Sequence, residues 1–348
     1  MKKQSVSVSV ELRQMLGVQL VCLGRGLLLL LFINASSMRT CVQRRVLPRS
    51  TMEGLLRRVA ENNDLGALDL SMLVPFVVDG ATVGYASTEL ADECVRYRDT
   101  FERGSSGELR LQQALEDSKD LQRRTTAVAK VTLALKERGL VTGWRNELLP
   151  VGESFSSKPV LLIERAAYSL FGIRGYGIHV NGFVRPRDAG DAMKLWVARR
   201  SPSKSTWPGM LDHIAAGGQP FGLSVEENVA KECGEEAGIS PELAATAVPT
   251  SAVSYTGVDE SGRLKRDSLF CFDIELPHDF KPVAVDGEVE SFSLHDLDWV
   301  IEKVAAGGKG GYKPNCNLVV IDFLVRHGAI SADSPLYLDL LSALRGPS

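Results

Sequence analysis

The sequence predicts an α+β protein in which a small α+β domain precedes a mixed sheet flanked by helices. Three observations carry that class. The chain has 348 residues, enough for two ordinary domains. Segments with the period-two pattern of strands interleave with helical segments, without the strand–helix repeat of a parallel α/β fold. A hydrophobic content of 44% and a charged content of 24% are those of a globular chain.

The head of the chain stands apart. Residues 1–51 carry eight Lys/Arg against the single acid Glu11. The head is thus about +7 and the rest about −10, in a chain of formal net charge −3. Such a basic, acid-poor stretch with Ser5, Ser7 and Ser9 reads as a targeting segment, closer to an organelle transit peptide than to a secretory signal. The apolar run Leu27 to Ile33 is too short for a bilayer, which needs about 20 residues, and Arg25 breaks its extension back to Leu16. No stable membrane insertion is expected. The net charge gives no reason to expect nucleic acid as a partner. The six cysteines (22, 41, 94, 233, 271, 316) contain no CxxC pair, and the five histidines are not close enough to them to suggest a zinc site. They read as reduced thiols, with Cys233 a packing residue.

The first domain is expected over 52–170. Leu55, Leu56 and Val59 suit a short helix opening at Met52. Leu73 to Val78 and Thr82 to Tyr85, with Asp79-Gly80 between them, predict a hairpin. The spacing of Leu109, Leu111, Leu115 and Leu121, then Val128, Val131, Leu133 and Leu135, predicts two helices. Gly104 to Gly107 reads as a surface loop and Gly139 as a helix stop. Trp144 to Pro150 reads as a turn with a buried Trp.

The second domain is expected over 171–345. Tyr176 to Val184 and Lys194 to Arg199 are strand-like, with a turn at Asp188 to Asp191. Ser224, with Glu227 three residues on, caps a helix from Val225 to Ala237 that Gly238 stops. Strands follow at Ser251 to Thr256 and Asp267 to Ile274, and a last helix from Cys316 to Arg326.

That capped helix carries the chemistry. Glu232, Glu235 and Glu236 stand at i, i+3 and i+4, so three carboxylates share a face. By itself such a cluster is more often a solvated face. The glycine turn Gly217-Gly218-Gln-Pro-Phe-Gly222 leading into it favours a site, because glycine lets backbone approach a ligand closely. Carboxylate oxygens suit Mg²⁺, with Mn²⁺ as an alternative. Glu288 and Glu290 alternate in a strand-like stretch. Glu290 is the candidate general base, against a plain surface pair. His213, His179, Lys313 and Asn315 are candidate substrate contacts, each weighed against a structural role, and Trp207 reads as core or as a stacking ring.

The run Gly217…Lys231-Glu232-Cys233-Gly234-Glu235-Glu236-Ala237-Gly238-Ile239 resembles the Nudix box. Lys231 stands for the usual Arg, and the pattern's first Glu falls on Leu223. Trp207 to His213, Gly177 to Gly182, Asp286 to Phe292 and Lys313 to Asn317 resemble the Nudix branch related to thiamine pyrophosphokinase. In that branch an extra N-terminal domain precedes the Nudix fold; Pro75 to Val78 and Gly143 to Glu147 resemble its two ends. Plastid members share this layout. The resemblance implies a Nudix fold and metal roles for Glu232, Glu235 and Glu236. It further implies hydrolysis of a small-molecule diphosphate, above all oxidised or damaged thiamine diphosphate, to the monophosphate. It implies a plastid location, against a mitochondrial or cytoplasmic one. Leu223 keeps a second reading open, a degenerate module that binds a diphosphate without cleaving it. Too little chain follows the last helix for a kinase domain.

Overall fold

A computed structural model of the protein describes residues 45–188 and 191–345. Most of the basic head, including Cys22 and Cys41, and the tip of the turn expected at 188–191 lie outside the described residues.

Helix α1 (Arg49–Asn62) starts ahead of the expected Met52. Its apolar side turns away from the segment that follows. Leu47, Met52, Leu55 and Val59 are buried with Val253, Val300, Val304 and Leu318, all from the far half of the chain. The expectation that this helix opens the first domain is corrected by that packing: its stripe matches a surface made much later in sequence.

The hairpin forms as expected from β1 (Leu73–Val78) and β2 (Ala81–Ser87). Asp79 and Gly80 both take positive φ, 55° and 80°, as a two-residue turn matched to strand twist requires. Helix α2 (Thr88–Cys94) leads to β3 (Phe101–Arg103) and β4 (Leu109–Leu111), joined across the loop at 104–107. Strand β4 replaces a helix expected there. Leu109 and Leu111 are two apart and both fully buried, a strand spacing, and the segment pairs with strands on both sides. Helices α3 (Gln113–Ser118) and α4 (Leu121–Glu137) follow, and Gly139 at φ 75° ends the run. The four strands lie in the order β2-β1-β4-β3. With α4 and the hairpin β5 (Leu148–Val151) and β6 (Leu161–Glu164), they enclose a core that includes Phe76, Phe101 and Phe171. Trp144 is half-buried, with Lys136 over its ring at 4.6 Å, rather than in that core.

The second sheet has seven strands: β7 (Arg174–Val184), β8 (Lys194–Arg200), β9 (Leu211–Asp212), β10 (Ala215–Gly218), β11 (Val248–Val258), β12 (Leu264–Glu275) and β13 (Val289–Asp296). The order is β11-β12-β7-β8-β13, with β10 on the first half of β7 and β9 on β8. Only β12 and β7 run parallel, so the sheet is mixed as expected. Helices α5 (Val225–Ala237) and α6 (Pro241–Ala244) cover one face. The other is covered by α1, α7 (Leu297–Ala306), α8 (Pro314–Arg326) and α9 (Tyr337–Leu344), so α8 is not the last helix. Alternation along β7 sends Ile178, Val180 and Val184 to the α5 core and Phe183 to the opposite one.

Two glycines and one carboxylate mark tight contacts in the fold. A Cβ on Gly54 would lie 2.7 Å from the Ala305 carbonyl oxygen, so α1 crosses α7 at close range. In the first domain a Cβ on Gly84 would lie 2.3 Å from the Phe171 carbonyl oxygen. Asp322 on α8 is fully buried and answers Arg326 at 2.6 Å and Arg345 at 2.9 Å, the pairing a buried charge requires. Among the described residues no helix is long and apolar enough to cross a membrane. Cys94, Cys233, Cys271 and Cys316 are buried free thiols.

Candidate active site

Helix α5 starts and stops where its chemistry dictates. The Ser224 hydroxyl accepts from Glu227 N–H at 3.1 Å, and the Glu227 carboxylate accepts from Ser224 N–H at 2.7 Å. Gly238 takes the left-handed conformation at φ 63° and closes the C-terminus. Val229, Cys233 and Ala237 anchor the inner face. Cys233 is indeed a packing residue, its thiol pushed up to about 12 by burial.

With that face fixed, Glu232 and Glu236 meet strand β10. The Glu236 carboxylate accepts from Ala216 N–H at 2.9 Å. Glu232 lies against Gly217: a Cβ there would sit 2.3 Å from the Glu232 carboxyl carbon. Gly217 is therefore the residue that makes room for this side chain. Asn228 ties the same junction, donating to the Gly218 carbonyl at 2.9 Å and to Gln219 Oε1 at 3.2 Å. Glu235 is half-exposed and held by Lys231 at 2.7 Å, while Lys231 also reaches Glu232 at 3.1 Å. One ammonium thus bridges two of the three expected carboxylates, the task assigned in the box pattern to Arg.

Burial pushes Glu236 well above the usual carboxylate range; Asp212 adds to that push, and the Ala216 bond opposes it. Glu232 is raised too, by burial, against the pull of Lys231. Two residues not assigned to the metal from sequence join Glu236. Carboxylate oxygens of Glu236, Asp286 and Glu288 all lie within 4.8 Å of one another. Burial works to raise Glu288, but its bond to Lys204 outweighs this, so Glu288 sits below its ordinary value. Of the alternating pair, Glu288 is the one beside Glu236. Glu290 is exposed at a bulge, where the register slips between Val289 and Ser291. That bulge breaks the period-two count, so the general-base assignment to Glu290 is corrected. The donor set is all oxygen and mutually repulsive, which fits a hard divalent cation such as Mg²⁺.

The remaining candidates fall in a second place. Alternation along β7 puts His179 on the face opposite α5. His179 and His213 are each 3% exposed, with rings edge-on at 4.8 Å. Burial holds His179 well below, and His213 down at about 4, so both imidazoles are neutral near pH 7. Rings this enclosed do not line an open substrate surface, and substrate contacts there are corrected on that ground. Asn315 is likewise buried, and Lys313 is partly exposed at the start of α8, its N–H donating to the Leu211 carbonyl at 2.9 Å. Trp207 is half-buried at φ 53°, and its carbonyl accepts from Arg200 Nε at 3.0 Å. The segment Leu211–Gly218 joins the two places.

A cavity of about 160 Å³ opens on the other side of the glycine turn. Phe155, Pro159, Tyr176, Phe221 and Leu223 line it, with Arg174 at hand. Phe155 comes from the first domain and packs on Tyr176 at 5.0 Å between ring centres. Arg165, also from the first domain, reaches the same turn, 3.5 Å from where a Gly218 Cβ would stand. Neither residue carried a signal in the sequence.

A family model described as NUDIX domain matches residues 175–314, and one described as Domain of unknown function (DUF4743) matches 54–175. The chain is 43% identical over 305 residues to Nudix hydrolase 20, chloroplastic, of Arabidopsis thaliana, covering 85% of this chain and 79% of that one. It is 44% identical over 298 residues to Nudix hydrolase 24, chloroplastic, of the same plant, with the same coverage. An uncharacterized protein of Saccharomyces cerevisiae is 36% identical over 287 residues, 76% of this chain and 81% of its own. Nudix enzymes generally use divalent metal ions, typically Mg²⁺. The chain belongs to the Nudix hydrolases, enzymes that cleave diphosphate linkages.

Proposed function

We propose that this enzyme hydrolyses the diphosphate of a ligand with an aromatic or heteroaromatic ring, thiamine diphosphate or its oxidised forms, to the monophosphate. One observation carries the reading: the carboxylates of α5 are seated on β10 beside Asp286 and Glu288, and the same glycine turn forms one wall of an aromatic cavity. Glu232, Glu235 and Glu236, with Asp286 and Glu288, are the residues to hold Mg²⁺ or Mn²⁺. A divalent ion held there supplies charge neutralisation at the phosphate oxygens and an acidified water. Glu288, kept ionised by Lys204, takes the proton of the attacking water. The water oxygen joins one phosphorus, and the bridging oxygen leaves on the monophosphate. Gly217 and Gly218 let the diphosphate approach the backbone, with Arg165 and Lys231 as nearby cations. Tyr176, Phe155 and Phe221 stack or flank the ring.

Residues 63–170 serve as the domain that supplies Phe155 and Arg165, and 171–345 together with α1 as the catalytic domain. The chloroplastic names of both plant relatives and the basic head support a plastid location. Leu223, at the position of the first box Glu, favours the second reading of binding without efficient cleavage. A panel of thiamine diphosphate, its oxidised forms, ADP-ribose and dinucleotides, with Mg²⁺ and Mn²⁺, separates the two. Turnover of a thiamine form above the others supports the proposal. Ligand-induced stabilisation with no turnover supports the second reading, and nucleotide preference refutes the thiamine assignment.

A further inference from the structure

The cysteine spacing gave no zinc signal, yet the fold assembles one. His179 lies on β7, His213 between β9 and β10, and Cys316 in the first turn of α8. One ligand atom from each lies within 4.8 Å of the other two, and all three side chains are buried. Two polar atoms are left over. His179 Nδ1 and His213 Nε2 are buried and have no hydrogen-bond partner among the described residues. A buried imidazole nitrogen without a partner is costly, and the fold carries two of them in ring contact. The Cys316 thiol donates to Asp212 Oδ1 at 2.9 Å, and Asp212 is itself anchored by Arg200 at 2.7 Å.

We propose that His179, His213 and Cys316 form a second metal site, for a borderline-soft divalent ion of the Zn²⁺ type, separate from the carboxylate site. Two imidazoles and a thiolate are the donors that Zn²⁺ takes and Mg²⁺ refuses. A tetrahedral ion, with bonds of about 2.0–2.1 Å to nitrogen and about 2.3 Å to sulfur, wants its ligand atoms roughly 3.4–3.8 Å apart. The present spacing, within 4.8 Å, exceeds that range by about an ångström at most. Asp212 stands beside the sulfur as an oxygen for the fourth position. On binding, the thiol gives up its proton, so one proton is released and the ion faces a thiolate and a carboxylate. The three ligands tie β7, the β9–β10 connection and α8 together. The tied connection runs straight into Ala216 and Gly217, which seat Glu236 and Glu232. The ion therefore braces the strand on which the hydrolytic carboxylates rest.

Co²⁺, added alone to the metal-free full-length chain, is the probe. One equivalent should produce a thiolate-to-cobalt charge-transfer band in the near ultraviolet. Zn²⁺ should remove the band, and a large excess of Mg²⁺ should not. The band should vanish in Cys316→Ser and persist in Glu236→Gln, which separates this site from the hydrolytic one. His213→Asn should weaken Co²⁺ binding more than about 100-fold, beyond what loss of an outer-shell partner costs. Should Cys316→Ser fail to fold, the wild-type spectrum with its Zn²⁺ and Mg²⁺ competition, and His213→Asn, still decide the matter. A wild-type chain without the band, a band that Mg²⁺ displaces, or one that survives in folded Cys316→Ser overturns the assignment. None of these readouts depends on hydrolysis, so a failure of the proposed substrate leaves them intact.

Discussion

Replacing Gly217 by Ala separates steric room from backbone freedom. Gly217 does not have positive φ, so alanine is conformationally acceptable there and the whole effect is steric. The new methyl would stand 2.3 Å from the Glu232 carboxyl carbon and from one of its oxygens, where ordinary contact begins at 3.4 Å. Glu232 must therefore move by about an ångström. A misplacement of that size in a catalytic group costs about 10²-fold in rate, or about 2.7 kcal/mol of transition-state stabilisation. The fold should survive, because a side chain rather than backbone gives way. Gly234→Ala is the internal control: its nearest neighbour outside the helix backbone, the Ile239 carbonyl oxygen, is at 3.8 Å, and turnover should stay close to wild type. The measurement is kcat at saturating Mg²⁺ on the best diphosphate of the panel, with circular dichroism to verify folding. A folded Gly217→Ala enzyme with wild-type turnover refutes the seating of Glu232.

Three further outcomes are expected. Glu236 has its pKa raised in the folded state, so the stability tied to its neutral form is present below the unfolded value and lost as pH rises through the folded one. Metal-free wild type should thus lose melting temperature relative to Glu236→Gln as pH rises above the ordinary carboxylate range, and Mg²⁺ should restore stability in wild type alone; a metal-free gap that does not widen with pH contradicts this. Leu223→Glu places a carboxylate in the aromatic cavity, and steady-state kinetics should show a higher KM for the ring-bearing diphosphate with no gain in kcat. Gly84→Ala forces a methyl to within 2.3 Å of a main-chain oxygen that cannot rotate away, and urea unfolding should show a loss of roughly 1–3 kcal/mol.

The capped helix was legible because its signals are local. Ser224, Glu227 and Gly238 act on backbone groups within a turn of themselves, and the helix runs between the bounds they predict. The hairpin at Asp79-Gly80 was legible for the same reason. What escaped depends on partners far along the chain. Leu109 and Leu111 fit a helix count until strands are found on either side. Glu288 and Glu290 look equivalent by alternation, and only the bulge between Val289 and Ser291 distinguishes them. Asp286 lies in a stretch marked by resemblance, but only the folded loop shows that it comes to Glu236. His179, His213 and Cys316 are remote in sequence and adjacent only in the folded sheet.

Helix α1 bears on how the chain comes to be folded. Its buried side chains, Met52, Leu55 and Val59, are made early, and the strands and helices that cover them are made near the end. Everything between, including the whole first sheet, is looped out of the second core. A nascent chain must therefore hold an uncovered apolar helix until synthesis is nearly finished, or shield it with a chaperone. An excised second domain starting at residue 171 would expose Val300, Val304 and Leu318 where α1 belongs, so the catalytic half is a discontinuous unit.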